Sequence, residues 1–245
     1  MRTAFFAERE SFASQALVWF AGTGPGHPDL ATMRCIKLLS CADVLLYNSG
    51  HIHTGLLEYA REDARHINCS DLPLEEVVAL LAQCAEQGKL ALRLHAGDPS
   101  LFASMREERQ LLQTHGFASR VVPGITAAFA AAAAAGVGFT SLEGVQSLSL
   151  VRQAGKHPVP ASQQVAALAS HGGALCIYLA DKDHSALTTA LAQAKVPPET
   201  PVLMAERLGW PDERLVWSSA DNVGEDAKNL GIGWHAVFLV LPGQP

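Results

Sequence analysis

Apolar residues along the chain fall into short blocks with two different spacings. The run over 16–21 (ALVWFA) is continuously apolar and ends in Gly22-Thr-Gly-Pro-Gly26, so it predicts a buried strand followed by a sharp turn. From 29 to 40 the spacing of Leu30, Met33, Ile36 and Leu39 predicts a helix, with Asp29 and Thr32 in its first turn. A short strand at 43–47 leads through a loop with His51 and His53 to a short helix near 56–60. Residues 74–87 form an amphipathic helix that Gly88 closes. A strand at 89–94 runs into His95-Ala-Gly-Asp-Pro99, and a charged helix at 101–114 stops at Gly116. A strand at 120–122 then meets Pro123-Gly-Ile-Thr126, where Thr126 is a plausible N-cap for an alanine-rich helix.

The texture changes after 146. Strands are expected at 147–151, 174–179, 202–205, 215–218 and 236–241, and helices at 163–170 and 185–194. The last strand shows no alternation and is expected to be buried on both faces. Strands alternating with helices predict an α/β fold of two α/β domains: a loosely held leader over 1–15, a mostly parallel N-terminal domain over 16–146, and a mixed C-terminal domain over 147–245.

Composition narrows the function. With 245 residues and 49 % apolar content, the chain can bury a core. Eighteen basic against 24 acidic residues give a net charge of −6, which argues against general nucleic-acid binding. Cys35, Cys41, Cys69, Cys84 and Cys176 form no CxxC pair, so neither a disulfide framework nor a zinc site is expected. The uncharged stretch 121–142 contains Pro123, Gly136 and Gly138 and is mostly alanine, so it reads as a packed helix and not as a membrane span. Arg2 is followed by no apolar run of the secretory kind, and a reducing cytoplasm is the expected location.

Three junctions carry the chemistry. Gly22-x-Gly24-Pro-Gly26 lacks both the Rossmann fingerprint and the P-loop lysine, yet it lets a ligand approach the backbone. Ala96-Gly-Asp-Pro99 follows a strand, at the sheet edge where open α/β sheets bind ligands. Asp98 there suits either a hydrogen bond to a ribose or amino group, or a cap on the helix that follows. Pro123-Gly-Ile-Thr-Ala127 is the third, and all three are expected at one edge.

Together G-x-G-P-G-x-P-x-L-x-T, G-D-P-S-L and V-V-P-G-I-T-A-A-F-A-A-A-A resemble the motifs of the tetrapyrrole methylases, the class III S-adenosylmethionine-dependent methyltransferases, over about 18–241. The runs 94–102 (LHAGDPSLF), 155–160 (GKHPVP) and 210–213 (WPDE) are similar to that family's corrinoid branch. The resemblance implies C-methylation of precorrin-4 or cobalt-precorrin-4 at C11, in two domains with S-adenosylmethionine folded into the crevice between them, and a homodimer. It leaves open another corrinoid or uroporphyrinogen methylase, or a non-catalytic binding homologue. Carried over by position, the cofactor contacts are Pro25, Ala96, Gly97, Asp98, Leu101, Thr126, Ala127, Leu179 and Ala205. No metal site and no identified proton acceptor follow from it.

A substrate with many carboxylates needs a basic mouth on an acidic protein. Arg93, Arg106, Arg109, Arg152, Lys156 and Arg207 are the candidates, with Arg152 and Lys156 foremost because they sit in the Gly-Pro loop. His51 and His53 are candidate substrate contacts; on an extended stretch they would point to the same side, with His27 and His95 nearby. The chain departs from the family pattern at Asn48–His53, Cys35, Ala96 and Val151.

Overall fold

The structure is a computed structural model, and it describes residues 2–153, 158–179, 183–233 and 235–244. It divides into two compact units, 1–126 and 127–245.

The first unit begins with α1 (Arg2–Ala13) and continues β1 (Val18–Gly22), α2 (Met33–Cys41), β2 (Val44–Tyr47), α3 (Thr54–Leu57), β3 (Arg65–Asn68), α4 (Leu74–Glu86), β4 (Ala91–His95), α5 (Met105–Thr114) and β5 (Ser119–Val122). Its sheet is five-stranded and parallel throughout, in the order β3-β2-β4-β1-β5. The apolar strands are continuous because both faces are covered. Trp19, Ala21, Leu92 and Leu94 face α2 through Leu38 and Leu39, whereas Val18, Phe20 and Ala91 face α4 through Val78 and Leu81. Thr32 caps α2: its hydroxyl accepts the Cys35 N–H at 3.2 Å. β3 carries mostly exposed polar residues, and a polar edge discourages pairing with another chain.

The first residues are not a loose leader. α1 docks on the unit through Phe12, edge-on to Trp19 at 5.3 Å, and through Arg9, which pairs with Asp43 at 2.5 Å. Arg61 holds the other oxygen of Asp43 at 2.6 Å, and the Leu90 N–H also donates to this carboxylate, at 2.7 Å. Burial pushes the Asp43 carboxyl up, but those hydrogen bonds and the two guanidinium charges outweigh it, and its pKa lies below the ordinary value.

The second unit runs α6 (Ala127–Ala135), β6 (Leu148–Arg152), α7 (Val165–Ala169), β7 (Ala174–Tyr178), α8 (His184–Gln193), β8 (Pro201–Glu206), β9 (Arg214–Ser219), α9 (Val223–Asn229) and β10 (Ala236–Val240). Its sheet order is β6-β7-β10-β8-β9. β6 and β7 are parallel, β10 is antiparallel to both its neighbours, and β8 and β9 are antiparallel. Helices α7, α8 and α9 cover one face. The alanine helix covers the other, where Ala128, Ala131 and Ala132 pack with Leu203, Val237 and Leu239. That packing puts α6 in the second unit, so the division falls at Thr126/Ala127 and not after 146.

Candidate functional site

The three glycine-bearing junctions of the first unit do meet at the C-terminal edge of its sheet. Gly24 and Gly97 exchange both backbone hydrogen bonds, N to O at 3.2 Å and 2.8 Å. Both glycines have positive φ, +78° and +65°, a conformation that side chains other than glycine's resist. The Thr23 N–H and hydroxyl both donate to the His95 carbonyl, at 2.9 and 3.1 Å. Asp98 ties in the third junction: one carboxylate oxygen accepts the Gly124 N–H at 2.8 Å, and the other accepts the Ser100 N–H at 2.8 Å and the Ser100 hydroxyl. Helix α5 starts at Met105 behind Ser104, so Asp98 does not cap it. The carboxylate is a stitch between two loops.

The interlock depends on missing side chains. A β-carbon on Gly22 would lie 2.5 Å from the Gly97 oxygen, and one on Gly124 would lie 2.0 Å from it. Around this stitched centre Ala96, Pro123 and Ile125 are exposed, and Pro25, Gly97, Asp98, Leu101 and Thr126 are half-buried. The result is a ledge of backbone and small side chains.

The candidates of the second unit lie elsewhere in its fold. Ala127 opens α6, and the next N–H, of Ala128, donates to the Tyr178 hydroxyl at 3.0 Å. Leu179 follows β7 with φ +57° and is 54 % exposed, an unusual state for a leucine. Ala205 is fully buried in the core under α6 and offers a ligand no surface in this arrangement.

The 48–53 segment is not extended: it turns at Gly50, with φ +83°, and the His51 N–H donates to the Asn48 carbonyl at 3.2 Å. His53 caps α3, its Nδ1 accepting the Gly55 N–H at 3.1 Å, and its ring lies 6.5 Å from that of His27. His27 also uses Nδ1 to accept a backbone N–H, that of Asp29 at 3.2 Å. Among the described residues no group of three His, Cys, Asp or Glu could hold a metal.

The cations divide. Arg93 is not at a mouth; it is 4 % exposed and forks onto Glu108, itself 1 % exposed, with Nε and Nη2 at 3.3 and 3.4 Å from its oxygens. Its remaining arm donates to Asn48 Oδ1 at 3.2 Å. Ser104 donates to the same carboxylate at 2.6 Å. His95 Nε2 lies 3.8 Å from Glu108 without a hydrogen-bond partner, and burial pulls its pKa down to about 4. Arg106 and Arg109 line a surface groove of about 770 Å³ with Ser100, Phe117 and Ser119. Arg152 donates to the Pro158 carbonyl at 3.2 Å beside a groove of about 350 Å³. Arg207 lies over the Trp210 ring and pairs with Asp212. Lys156 lies outside the described residues. Glu108 escaped the sequence reading, although it stands four residues before the buried Leu112 and so on the buried face of its helix.

Comparison with known proteins gives this edge its context. The pattern of the tetrapyrrole (corrin/porphyrin) methylases matches residues 17–223. A cobalt-precorrin-4 C(11)-methyltransferase from Methanocaldococcus jannaschii is 31 % identical over 91 % of this chain and 86 % of its own. A precorrin-4 C(11)-methyltransferase from Pseudomonas aeruginosa is 35 % identical over 93 % of this chain and 89 % of its own. The crystal structure of a cobalt precorrin-4 methyltransferase superposes with a TM-score of 0.89, at 30 % identity, covering 94 % of this chain and 96 % of that one. The chain belongs to the tetrapyrrole methylases.

Proposed function

We propose that the chain is an S-adenosylmethionine-dependent methyltransferase that acts on C11 of precorrin-4 or cobalt-precorrin-4 in cobalamin biosynthesis. The observation that carries this reading is the stitched three-loop ledge, in a chain that matches C11-methyltransferases over nine tenths of its length. S-adenosylmethionine supplies a methyl group activated by a positively charged sulfur. The electron pair for the new carbon–carbon bond would come from the tetrapyrrole, which would give up a proton, and the carbon–sulfur pair would stay on sulfur. The chain's part is to hold the two reactants in line and close together, which alone can supply much of the acceleration. Pro25, Ala96, Gly97, Asp98, Leu101 and Thr126 are the proposed cofactor contacts on the ledge. Ala127 and Leu179 stay with them on the family resemblance alone, and Ala205, buried in the core under α6, drops out. Arg152, Lys156, His51 and His53 are the proposed substrate contacts.

A homodimer is proposed on the same resemblance, and light scattering at twice 26.0 kDa checks it. All five cysteines are buried and unpaired, which suits a reducing compartment such as the cytoplasm. No helix among the described residues is long and apolar enough to cross a membrane.

The direct test is incubation with methyl-labelled S-adenosylmethionine and a panel of precorrin and cobalt-precorrin intermediates, followed by product mass and carbon NMR. One added methyl at C11 is expected. Methylation at another ring carbon, or binding with no mass change, would replace the reading with one of its neighbours.

A further inference from the structure

An ion pair as buried as Arg93–Glu108 is a poor way to gain stability. Removing two charges from water costs several kcal/mol per ion, and well-packed apolar residues of the same volume often do as well. The pair is nevertheless built with care. Arg93 stands on the central strand β4, and Glu108 stands in the first turn of α5, where the helix favours a negative charge. Two nitrogens of the guanidinium meet the carboxylate, and the Ser104 hydroxyl fixes one of its oxygens. The third nitrogen is the informative one. It leaves the pair and meets Asn48, the first residue after β2 and the start of the segment that carries His51 and His53.

The segment has further polar anchors: the Ser49 and Ser70 hydroxyls meet at 3.2 Å, and the His53 ring accepts the Gly55 N–H at 3.1 Å. Asn68 accepts the Ser49 N–H at 3.1 Å, and the Asn48 carbonyl accepts the His51 N–H. Ile52 is its one deeply buried side chain. A lysine could neutralise Glu108 but could not span both partners, because it is a point charge without the planar fork. The requirement is for reach and geometry as well as for charge.

We propose that Arg93, clamped by Glu108, is a positioning residue that sets the 48–53 segment through Asn48 and so tunes affinity for the tetrapyrrole and not for the methyl donor. The substrate half of this statement rests on the function proposed above; the positioning half does not. The pair supplies the fixed base, Arg93 the arm, and Asn48 the point of attachment.

Three variants test it. Asn48→Ala leaves the buried pair intact and removes only the attachment. Arg93→Lys keeps the charge and loses the fork. The double variant Arg93→Met with Glu108→Gln removes both charges together, so neither is stranded in the core. Hydrogen exchange on the purified protein without ligands reads the segment directly. Amides of residues 49–53 should exchange about ten-fold faster in all three, the equivalent of losing one hydrogen bond to a charged group. In turnover assays KM for the tetrapyrrole should rise by about ten-fold, while kcat and the S-adenosylmethionine Kd stay within about two-fold. The double variant should regain the wild-type thermal midpoint without regaining the wild-type KM. Unchanged exchange at 49–53 in Asn48→Ala overturns the proposal. So does a double variant that recovers both midpoint and KM, or a parallel loss of affinity for both ligands, since each marks a purely structural pair. A wild-type protein inactive on every precorrin would instead defeat the proposed function, and the exchange data would still decide the positioning role.

Discussion

Gly124 has almost no room to change. A methyl group there meets the Gly97 carbonyl oxygen, a backbone atom that cannot swing aside. Gly124→Ala is expected to cost about 1–3 kcal/mol, as overpacking does, and to move the ledge so that S-adenosylmethionine binds weakly. Asp98→Asn is gentler: its single amide oxygen can accept from Gly124 or from Ser100, but not from both through separate oxygens as the carboxylate does. Its expected cost is about 1 kcal/mol, with a partial loss of cofactor affinity. Thermal midpoints and calorimetric titrations read both variants together, and normal values for Asp98→Asn on both would dissolve the stitch. His95 sets a different test at this scale. Burial lowers its pKa from 6.5 to about 4, a drop that the charge on Arg93 supports and that on Glu108 opposes. Between those values the unfolded chain holds the proton and the folded chain does not, so stability falls as pH drops from about 6.5 towards about 4. The shift corresponds to a loss on the order of 3 kcal/mol. Urea unfolding at pH 7 and pH 4.5 should show it, and His95→Leu should remove that part of the pH dependence.

At the scale of elements, α1 shows what a hydrophobic pattern hides. Its sequence offers no apolar stripe, yet Phe12 packs edge-on against Trp19 and Arg9 reaches the Asp43 carboxylate. Phe12→Ala should lower stability by about 1–3 kcal/mol, less than a full core truncation because Phe12 is only part-buried. Chemical denaturation with Trp19 fluorescence reports it, and no change would mean that α1 rests on the unit without supporting it. The strands and helices were legible because burial on two faces makes a strand continuously apolar and burial on one face spaces a helix's apolar residues. β3 was not, since Arg65, His66 and Asn68 make a solvent-facing edge with no alternation to read. α9 was missed likewise: it is seven residues long and mostly polar. The three junctions were readable from their glycines. The turn at Gly50 was not, because a glycine in a polar loop does not announce the sign of its φ. Arg93 misled for a similar reason: charge suggests solvent, and the partner that buries it lies fifteen residues on in another element.

Over the whole molecule, the net charge of −6 leaves recognition of an anionic tetrapyrrole to local cations, and burial has already taken Arg93 from that set. The two sheets are also assembled in different ways. All five strands of the first lie between residues 18 and 122. In the second, β10 is the middle strand, although it is the last to be made, and it alone joins the β6–β7 pair to the β8–β9 hairpin. On the ribosome the first sheet can close while the second is still being translated. The second remains two unlinked fragments, with the edges of β7 and β8 bare, until residues 236–240 emerge. Those bare edges are open to wrong partners in the interval. Ribosomes stalled just before that strand should therefore carry a protease-resistant first unit and a digestible second one. Resistance of both units at that stall would show that β10 closes a sheet already formed without it.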